Sequence, residues 1–235
     1  EMPEEINRVV TDHVSDYLFC PSEISRQNVL KEGISADKIH VVGNTIVDST
    51  LQNYEIAKKR KDEVLGNHAV SEGNYILLTA HRPANVDDPA HLKQFIEILQ
   101  EIATIKPLPI IFPAHPRTMK NLQKHGFMDY LPKSLELIEP VGYLEFLVLE
   151  KNARMIFTDS GGIQEEACIF KTPCITLREN TERPEAVDVG ANKIVGYNID
   201  KIKSAIAYFE DFSFEYDIPF GQGDTSKKIF NILNP

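Results

Sequence analysis

Short apolar runs alternate along the chain with longer segments that place an apolar residue every three or four positions. This pattern predicts strands that alternate with amphipathic helices, such as the segment that carries Leu92, Phe95 and Leu99. Buried strands are predicted in the body of the chain at residues 75–80, 109–112, 135–138, 154–158 and 173–177. Strands that are apolar throughout are typical of a parallel sheet with helices on both faces. We therefore expect one Rossmann-like domain there.

The first 45 residues show the same alternation on a smaller scale. A helical stripe follows Pro3 and ends before Asp16. Two short strands, at residues 17–20 and 39–42, flank a predicted helix at 25–31. This spacing predicts a parallel βαβ unit. Two strands are too few for a stable open sheet, so we expect the chain to open with the end of a domain that begins upstream.

The composition narrows the classes of partner. The chain has 235 residues, and 35 acidic against 25 basic side chains give a formal net charge of −10. An acidic chain disfavours a nucleic-acid backbone as the main partner. No apolar run approaches the roughly 20 residues of a membrane span, and the opening segment lacks the apolar region of a signal peptide. We therefore expect a cytoplasmic protein that binds neither nucleic acid nor membrane.

Residues suited to chemistry gather where the predicted strands end, which is where open α/β sheets bind their ligands. His81 and Arg82 follow the first strand of the body, and His115 follows the second. The turn at 160–162 follows the fourth strand, and Arg183 lies beyond the fifth. An otherwise acidic chain thus places cations where an anionic ligand would bind.

The Ser-Gly-Gly turn at 160–162 lies between a predicted strand and a helix expected to begin near Ile163. Two glycines let a ligand approach the backbone, and free amides at a helix start favour phosphate. Glu166, one turn into that helix, is suited to ribose hydroxyls. The alternatives are an ordinary tight turn, an acid that favours the helix dipole and, for Arg183, a surface salt bridge.

Metal and cofactor chemistry find no support in the motifs. Neither His81 nor His115 has a second ligand at the spacing of a zinc site. The sequence contains no GxGxxG, P-loop or GxSxG motif, so the NAD, ATP and serine-hydrolase interpretations have no basis. The three cysteines form no CxxC pair, which is typical of reduced core thiols. We expect neither a metal ion nor a cofactor.

Two segments carry a specific resemblance to a known family. TDSGGIQEEA at 158–167 and RENTERPE at 178–185 closely resemble the UDP-N-acetylglucosamine 2-epimerase family, in its non-hydrolysing type. Shorter matches follow in the family's order at residues 2–8, 43–45, 80–82 and 113–116. The resemblance implies a GT-B-like fold, in which two Rossmann-type domains enclose the active site.

The resemblance further implies an isomerase that interconverts UDP-GlcNAc and UDP-ManNAc without metal or nicotinamide. UDP is eliminated to leave a 2-acetamidoglucal and is then re-added with the opposite configuration at C2. The implied partner is a UDP-sugar substrate. Because family members are typically homodimers, we expect a homodimer of the full-length protein.

The same resemblance assigns residues around the nucleotide. Phe146 would contact the uracil, Glu166 would bind the ribose hydroxyls, and Arg183 would bind the anionic nucleotide. Backbone and hydroxyl contacts to the diphosphate or uridine would come from Ser160, Gly161 and Gly162. Further contacts are expected from Arg82, His115 and Glu182.

The catalytic half of the site is only partly covered by this sequence. The resemblance makes Glu4 a catalytic carboxylate, and His81 assists the charge that develops on the departing UDP. It assigns a phosphate-binding Arg, an Asp and a Glu to a domain upstream of residue 1. General acid–base groups contribute typically ~10²–10⁴-fold, so we expect this chain alone to bind UDP weakly and to turn over little substrate.

The expected domain division follows from the GT-B-like fold. Residues 1–45 would be the C-terminal remnant of the N-terminal Rossmann-like domain. Residues 46–215 would form the C-terminal, UDP-binding Rossmann-like domain. Residues 216–235 would form a helix that crosses back to the N-terminal domain.

Three alternatives stay open on the sequence. A hydrolysing UDP-GlcNAc 2-epimerase, which releases ManNAc and UDP, shares these motifs. A non-catalytic UDP-sugar-binding module would need only the residues around the nucleotide. A GT-B glycosyltransferase fits less well, because the TERPE block at 181–185 matches the epimerases better.

Overall fold

The computed structural model of the protein describes residues 3–80 and 88–234. These residues divide into two units. One unit takes the chain up to Leu51 together with the segment from Asp217 onward, and the other is Gln52–Tyr216. Both units contain parallel strands with helices between them, so the predicted α/β class is confirmed.

The strands and helices are numbered in chain order. The strands are β1 (Leu18–Cys20), β2 (Ile39–Val41), β3 (Ile76–Thr79), β4 (Ile110–Pro113), β5 (Leu135–Ile138), β6 (Met155–Thr158), β7 (Cys174–Thr176) and β8 (Asn192–Ile194). The α-helices before β5 are α1 (Pro3–Val14), α2 (Glu23–Lys31), α3 (Thr45–Ala57), α4 (Lys61–Asn67), α5 (Pro89–Ile105) and α6 (Pro116–Lys124). Those after it are α7 (Tyr143–Asn152), α8 (Gly161–Phe170), α9 (Pro184–Asp188), α10 (Ile199–Asp211) and α11 (Thr225–Leu233).

The first unit is built on β1 and β2, which pair in parallel with Leu18 opposite Ile39. Between them, α2 begins after Ser22, whose hydroxyl accepts the N–H of Ser25 at 3.2 Å and so satisfies one amide of the first turn. This arrangement confirms the predicted βαβ unit. Its small core contains Leu18, Val29 and Ile39.

Within the described residues, the second unit holds a six-stranded parallel sheet in the order β5-β4-β3-β6-β7-β8. Five of these strands lie where the apolar runs predict them. The sequence pattern does not predict β8, because two of its three residues are polar. Helices α6 and α10 are not predicted either. Helix α6 has only two large apolar residues, whereas Ile202, Ile206 and Phe209 of α10 form a stripe that indicates a helix.

Strand side chains point alternately to the two faces of the sheet, and each face has its own core. Ile76 and Leu78 of β3 belong to a cluster completed by α5 and α10. Leu77 of the same strand belongs to a second cluster, completed by α7 and α8. Helices therefore cover both faces of the sheet, as predicted.

The start of α11 is held by a carboxylate from a different helix of the first unit. Asp48, on α3, is 6% exposed. Its carboxylate accepts the N–H of Ser226 at 3.0 Å and that of Thr225 at 3.2 Å. Burial opposes the charge on Asp48, but these hydrogen bonds outweigh burial and hold the pKa of the carboxyl below its usual value.

Asp48→Ala should lower the free energy of unfolding by about 1 kcal/mol, because the two amides lose their acceptor. The pKa of Asp48 is depressed in the folded state, so its contribution is present above the unfolded-state pKa and is lost as the pH falls through the folded-state value. Urea unfolding at several pH values measures both effects. Asp129→Ala, at an exposed carboxylate, is the control. Equal losses in both variants at neutral pH would contradict the capping role.

Candidate functional site

The strand order of the second unit reverses between β3 and β6, which are neighbours in the sheet although about 75 residues separate them. Thr79 and Thr158 stand opposite each other at the carboxyl ends of these strands, and their hydroxyl oxygens are 2.6 Å apart. The carboxyl ends of β3 and β6 are thus side by side. Such a switch point leaves a crevice at the edge of the sheet.

Helix α8 begins at Gly161, two residues earlier than the sequence predicts. Ser160 is its N-cap, and the Ser160 N–H donates to the Thr158 hydroxyl at 3.0 Å, which ties the turn to the end of β6. The amides of Gly161 and Gly162 therefore lie in the first turn, where no carbonyl of the same helix can accept them. An anion at this position is favoured by those amides and by the helix dipole.

The two glycines leave space in front of these amides. Among the described residues, a β-carbon at Gly162 would meet nothing within 4 Å, and one at Gly161 would meet only a carboxylate oxygen of Glu182, at 3.7 Å. Neither glycine adopts a left-handed conformation. Neither the backbone conformation nor the neighbouring atoms therefore require glycine at these two positions. The space left by the absent side chains lets a ligand reach the backbone.

Glu166 lies in the second turn of α8 and is 8% exposed. The hydroxyl of Tyr143, on α7, donates to its Oε1 at 2.7 Å. Burial raises the pKa of Glu166, the hydrogen bond from Tyr143 opposes the rise, and the charge of Glu165 adds to it. Phe146 is half-buried, one turn after Tyr143 on the same face of α7.

Arg183 precedes α9, and its side chain is 35% exposed. Its Nε lies 2.9 Å from Oε1 of Glu165, a buried carboxylate in α8. A salt bridge is the alternative role of Arg183 that the sequence leaves open, and an ion pair is present. It holds the guanidinium beside α8. Glu182, expected as a further contact, forms a two-pronged ion pair with Arg178, with distances of 2.6 and 3.0 Å.

A buried amide that is not among the predicted site residues connects the parts of this site. Gln164, in α8, is fully buried. Its Oε1 accepts the hydroxyl of Thr181 at 2.5 Å and the amide of Asn192 at 3.0 Å, and its own amide donates to the Ser160 carbonyl at 3.1 Å. The Thr181 hydroxyl in turn accepts the Arg183 N–H at 3.0 Å. One side chain thus fixes the Ser160 turn relative to the Arg183 loop.

The remaining predicted residues are His115, Glu4, His81 and Arg82. His115 is exposed and caps α6, where its Nδ1 accepts the N–H of Arg117 at 3.2 Å. This bond leaves Nε2 as the ring's N–H donor. Glu4 is exposed on the first turn of α1, in the other unit. His81 and Arg82 lie outside the described residues.

Two further features would bear on function, a metal-ligand group and a membrane-spanning helix. No group of three or more His, Cys, Asp or Glu side chains in residues 3–80 and 88–234 is arranged to hold a metal ion. Within the same ranges, no helix combines the length and the apolar character that crossing a membrane requires.

Comparison with known proteins gives a consistent result. The family model described as UDP-N-acetylglucosamine 2-epimerase matches residues 1–234. UDP-N-acetylglucosamine 2-epimerase of Methanocaldococcus jannaschii is 54% identical over 235 residues, which cover 99% of this chain and 64% of that protein. The protein of the same name from Methanococcus maripaludis is 47% identical over 236 residues, again 99% of this chain and 64% of the relative.

The structural comparison agrees with the sequence comparison. The crystal structure of the M. jannaschii UDP-GlcNAc 2-epimerase in complex with UDP-GlcNAc and UDP superimposes with a TM-score of 0.87, over 99% of this chain and 64% of that one. The GT-B-like fold class predicted from the resemblance is confirmed. The chain spans about 64% of the length of the curated relatives it matches.

Gln164→Leu should lower the free energy of unfolding by about 3 kcal/mol, because it leaves the buried amide of Asn192 and the partly buried polar groups of Ser160 and Thr181 without their partner. Urea unfolding measures the loss. The matched control is Gln100→Leu, at an exposed glutamine whose amide donates only to the Tyr130 carbonyl, and it should cost about 0.5 kcal/mol or less. Losses of similar size in the two variants would show that the Gln164 network does not hold the loops together.

Proposed function

Because the chain belongs to the UDP-N-acetylglucosamine 2-epimerase family, we propose that it supplies the UDP-binding part of an enzyme that interconverts UDP-GlcNAc and UDP-ManNAc. The observation that carries the proposal is the start of α8, where open amides of Gly161 and Gly162 lie on the same helix as the buried Glu166. A diphosphate and a ribose are the two groups that such amides and such a carboxylate bind.

Each part of the nucleotide has a proposed partner. The diphosphate accepts hydrogen bonds from the first amides of α8 and from the hydroxyl of Ser160. This residue is the N-cap, but its side chain makes no capping hydrogen bond. The guanidinium of Arg183 keeps its Glu165 partner and contributes further N–H donors to the phosphate oxygens. The ribose hydroxyls donate to Glu166, and the uracil packs against Phe146.

The proposed reaction begins with removal of the proton at C2 of the sugar. The electron pair of that C–H bond forms the C1–C2 double bond of the 2-acetamidoglucal, and the C1–O bond breaks with its electrons moving to the β-phosphate of UDP. Return of a proton to the opposite face of C2 and re-addition of UDP at C1 complete the epimerisation. Groups that stabilise negative charge on UDP accelerate the elimination, and this is the role proposed for the α8 amides and for His81.

The catalytic assignments and the domain roles are proposed together. The family resemblance supports Glu4 and His81 as catalytic residues. It also supports residues 1–45 as part of an N-terminal Rossmann-like domain, 46–215 as the UDP-binding domain and 216–235 as the helix that returns to the first domain. The homodimer of the full-length protein stays a prediction, which sedimentation equilibrium would test.

The products separate this proposal from its nearest alternative. The reversible epimerase forms UDP-ManNAc and keeps the nucleotide attached, whereas the hydrolysing type releases free ManNAc and UDP. Chromatography of the products formed from UDP-GlcNAc by the full-length protein distinguishes the two. The M. jannaschii relative, whose crystal structure contains both UDP-GlcNAc and UDP, supports a UDP-sugar as the substrate in either case.

Titration calorimetry with UDP tests the nucleotide site directly. Arg183→Ala and Glu166→Gln should each weaken UDP binding about tenfold or more, because each removes hydrogen bonds that involve a charged group. The matched controls are Arg154→Ala, at the opposite end of β6, and Glu97→Gln, on the exposed face of α5. Both controls should bind like the unsubstituted chain. Binding that neither Arg183→Ala nor Glu166→Gln weakens would refute the proposed site.

A further inference from the structure

Two carboxyl groups meet where α7 packs against α8. Glu150, in the last turn of α7, is fully buried and faces Glu166. Neither oxygen of Glu150 has a hydrogen-bond donor among the described residues. Glu150 also lies seven residues after Tyr143, on the same face of the helix. The proposed uracil contact Phe146 lies between them on that face.

A buried, ionised carboxylate without donors is strongly unfavourable, and a second carboxylate beside it adds repulsion. Burial and the charge of Glu166 both raise the pKa of Glu150 well above its usual value. Glu166 is less deeply buried and accepts a hydrogen bond from Tyr143, so it is the more readily ionised member of the pair. The proton shared by the pair therefore resides on Glu150.

A protonated carboxyl can donate a hydrogen bond, which an ionised one cannot. With the proton on Glu150, the unfavourable contact between two acceptors becomes a hydrogen bond from Glu150 to Glu166. The Glu166 carboxylate then has two donors on one face of α7, the Tyr143 hydroxyl at 2.7 Å and the Glu150 carboxyl. Two donors from one rigid helix fix the orientation of the carboxylate.

We propose that Glu150 is a positioning residue for nucleotide binding, whose protonated carboxyl donates to Glu166 and holds that carboxylate toward the ribose hydroxyls. The inference rests on the proposed function, because it takes Glu166 as the ribose-binding residue. It adds a residue that the motifs do not contain, since Glu150 lies eight residues before the TDSGGIQEEA block.

Other titratable groups face the pair and bear on its pH dependence. Tyr75 and Cys174 lie near Glu150, and burial raises the pKa of both, so they stay neutral near pH 7. The charge of Glu165, the preceding residue of α8, raises the pKa of Glu166, and Glu165 is ion-paired with Arg183.

Helix α4 also packs against α7 and is followed by a histidine. His68 lies just beyond α4, with its Nε2 3.3 Å from Oε1 of Glu145 near the opposite end of α7. The experiment therefore uses a reference that retains His68 and Glu145 and lacks the Glu166 carboxyl.

The sign of the pH effect follows from the direction of hydrogen bonding. Ribose hydroxyls donate to an ionised Glu166, so UDP affinity is lost as the pH falls through the raised pKa of Glu166. The hydrogen bond from Glu150 favours the ionised form and holds that pKa down. Without this bond, the pKa of Glu166 rises further, and the loss of affinity begins at a higher pH.

The test is the dissociation constant of UDP, measured by titration calorimetry from about pH 5 to about pH 8. Glu166→Gln serves as the reference, because its profile retains every contribution to the pH dependence except the titration of Glu166. At each pH, the dissociation constant of the chain under test is divided by that of Glu166→Gln. The midpoint of the resulting pH profile is that of the titration of Glu166. Glu150→Leu should move the midpoint up by about one pH unit. Glu150→Gln keeps a neutral N–H donor and should retain the original midpoint.

The outcomes separate positioning from packing. Leucine and glutamine are both close in size to glutamate, so neither leaves a large cavity at position 150. A cooperative thermal unfolding transition in each variant shows that it is folded. An unchanged midpoint in Glu150→Leu, or an equal loss of affinity at every pH in both variants, would overturn the positioning role. Failure of the unsubstituted chain to bind UDP would instead overturn the proposed function, and this inference with it. The results for the two Glu150 variants bear on Glu150 alone, because they are compared with an unsubstituted chain that binds UDP.

Discussion

The position of the site is determined by the way a parallel sheet has to be connected. Parallel strands need crossover helices, and the hand of these crossovers is fixed. The chain builds outward from β3 to β5 and then returns to place β6 against the other side of β3. The helices that follow β3 and β6 consequently cover opposite faces, with α5 in one core and α8 in the other. Thr79 and Thr158 meet where these two strands end.

The walls of the crevice are held by buried polar groups rather than by apolar packing alone. Such groups stabilise a structure only when their hydrogen-bonding capacity is satisfied, and they then restrict it to one arrangement. Gln164 satisfies this condition with three bonds to three segments. Glu166 accepts the hydroxyl of Tyr143 from the neighbouring helix. The Ser160 turn and the Arg183 loop are therefore fixed by bonds to α8, which with α7 completes one face of the core.

The sequence predicts the elements of the fold better than it predicts the contacts between them. Continuous apolar runs identify the central strands because those strands are buried on both faces, whereas β8 is too short and too polar to produce such a run. The Ser-Gly-Gly turn is recognisable because two glycines between a strand and a helix are unusual. Gln164 stands in the same motif, but its role depends on Thr181 and Asn192, which only the folded chain brings to it. The periodicity of α7 could have pointed to Tyr143 and Glu150, since both share a face with Phe146, but the residue they meet on α8 is set by helix packing.

The ion pair between Arg183 and Glu165 has a consequence for how an anion is attracted. With a net charge of −10, the chain as a whole repels anions at long range. Arg183 does little to reverse this, because at a distance its field is largely cancelled by that of its partner. The dipole of α8 acts only over about one helical turn. The attractive field is therefore confined to the crevice, and an anion gains little until it has entered. Recognition at such short range depends on fit, so inorganic phosphate in solution would compete poorly with a ligand that also fills the ribose and base positions.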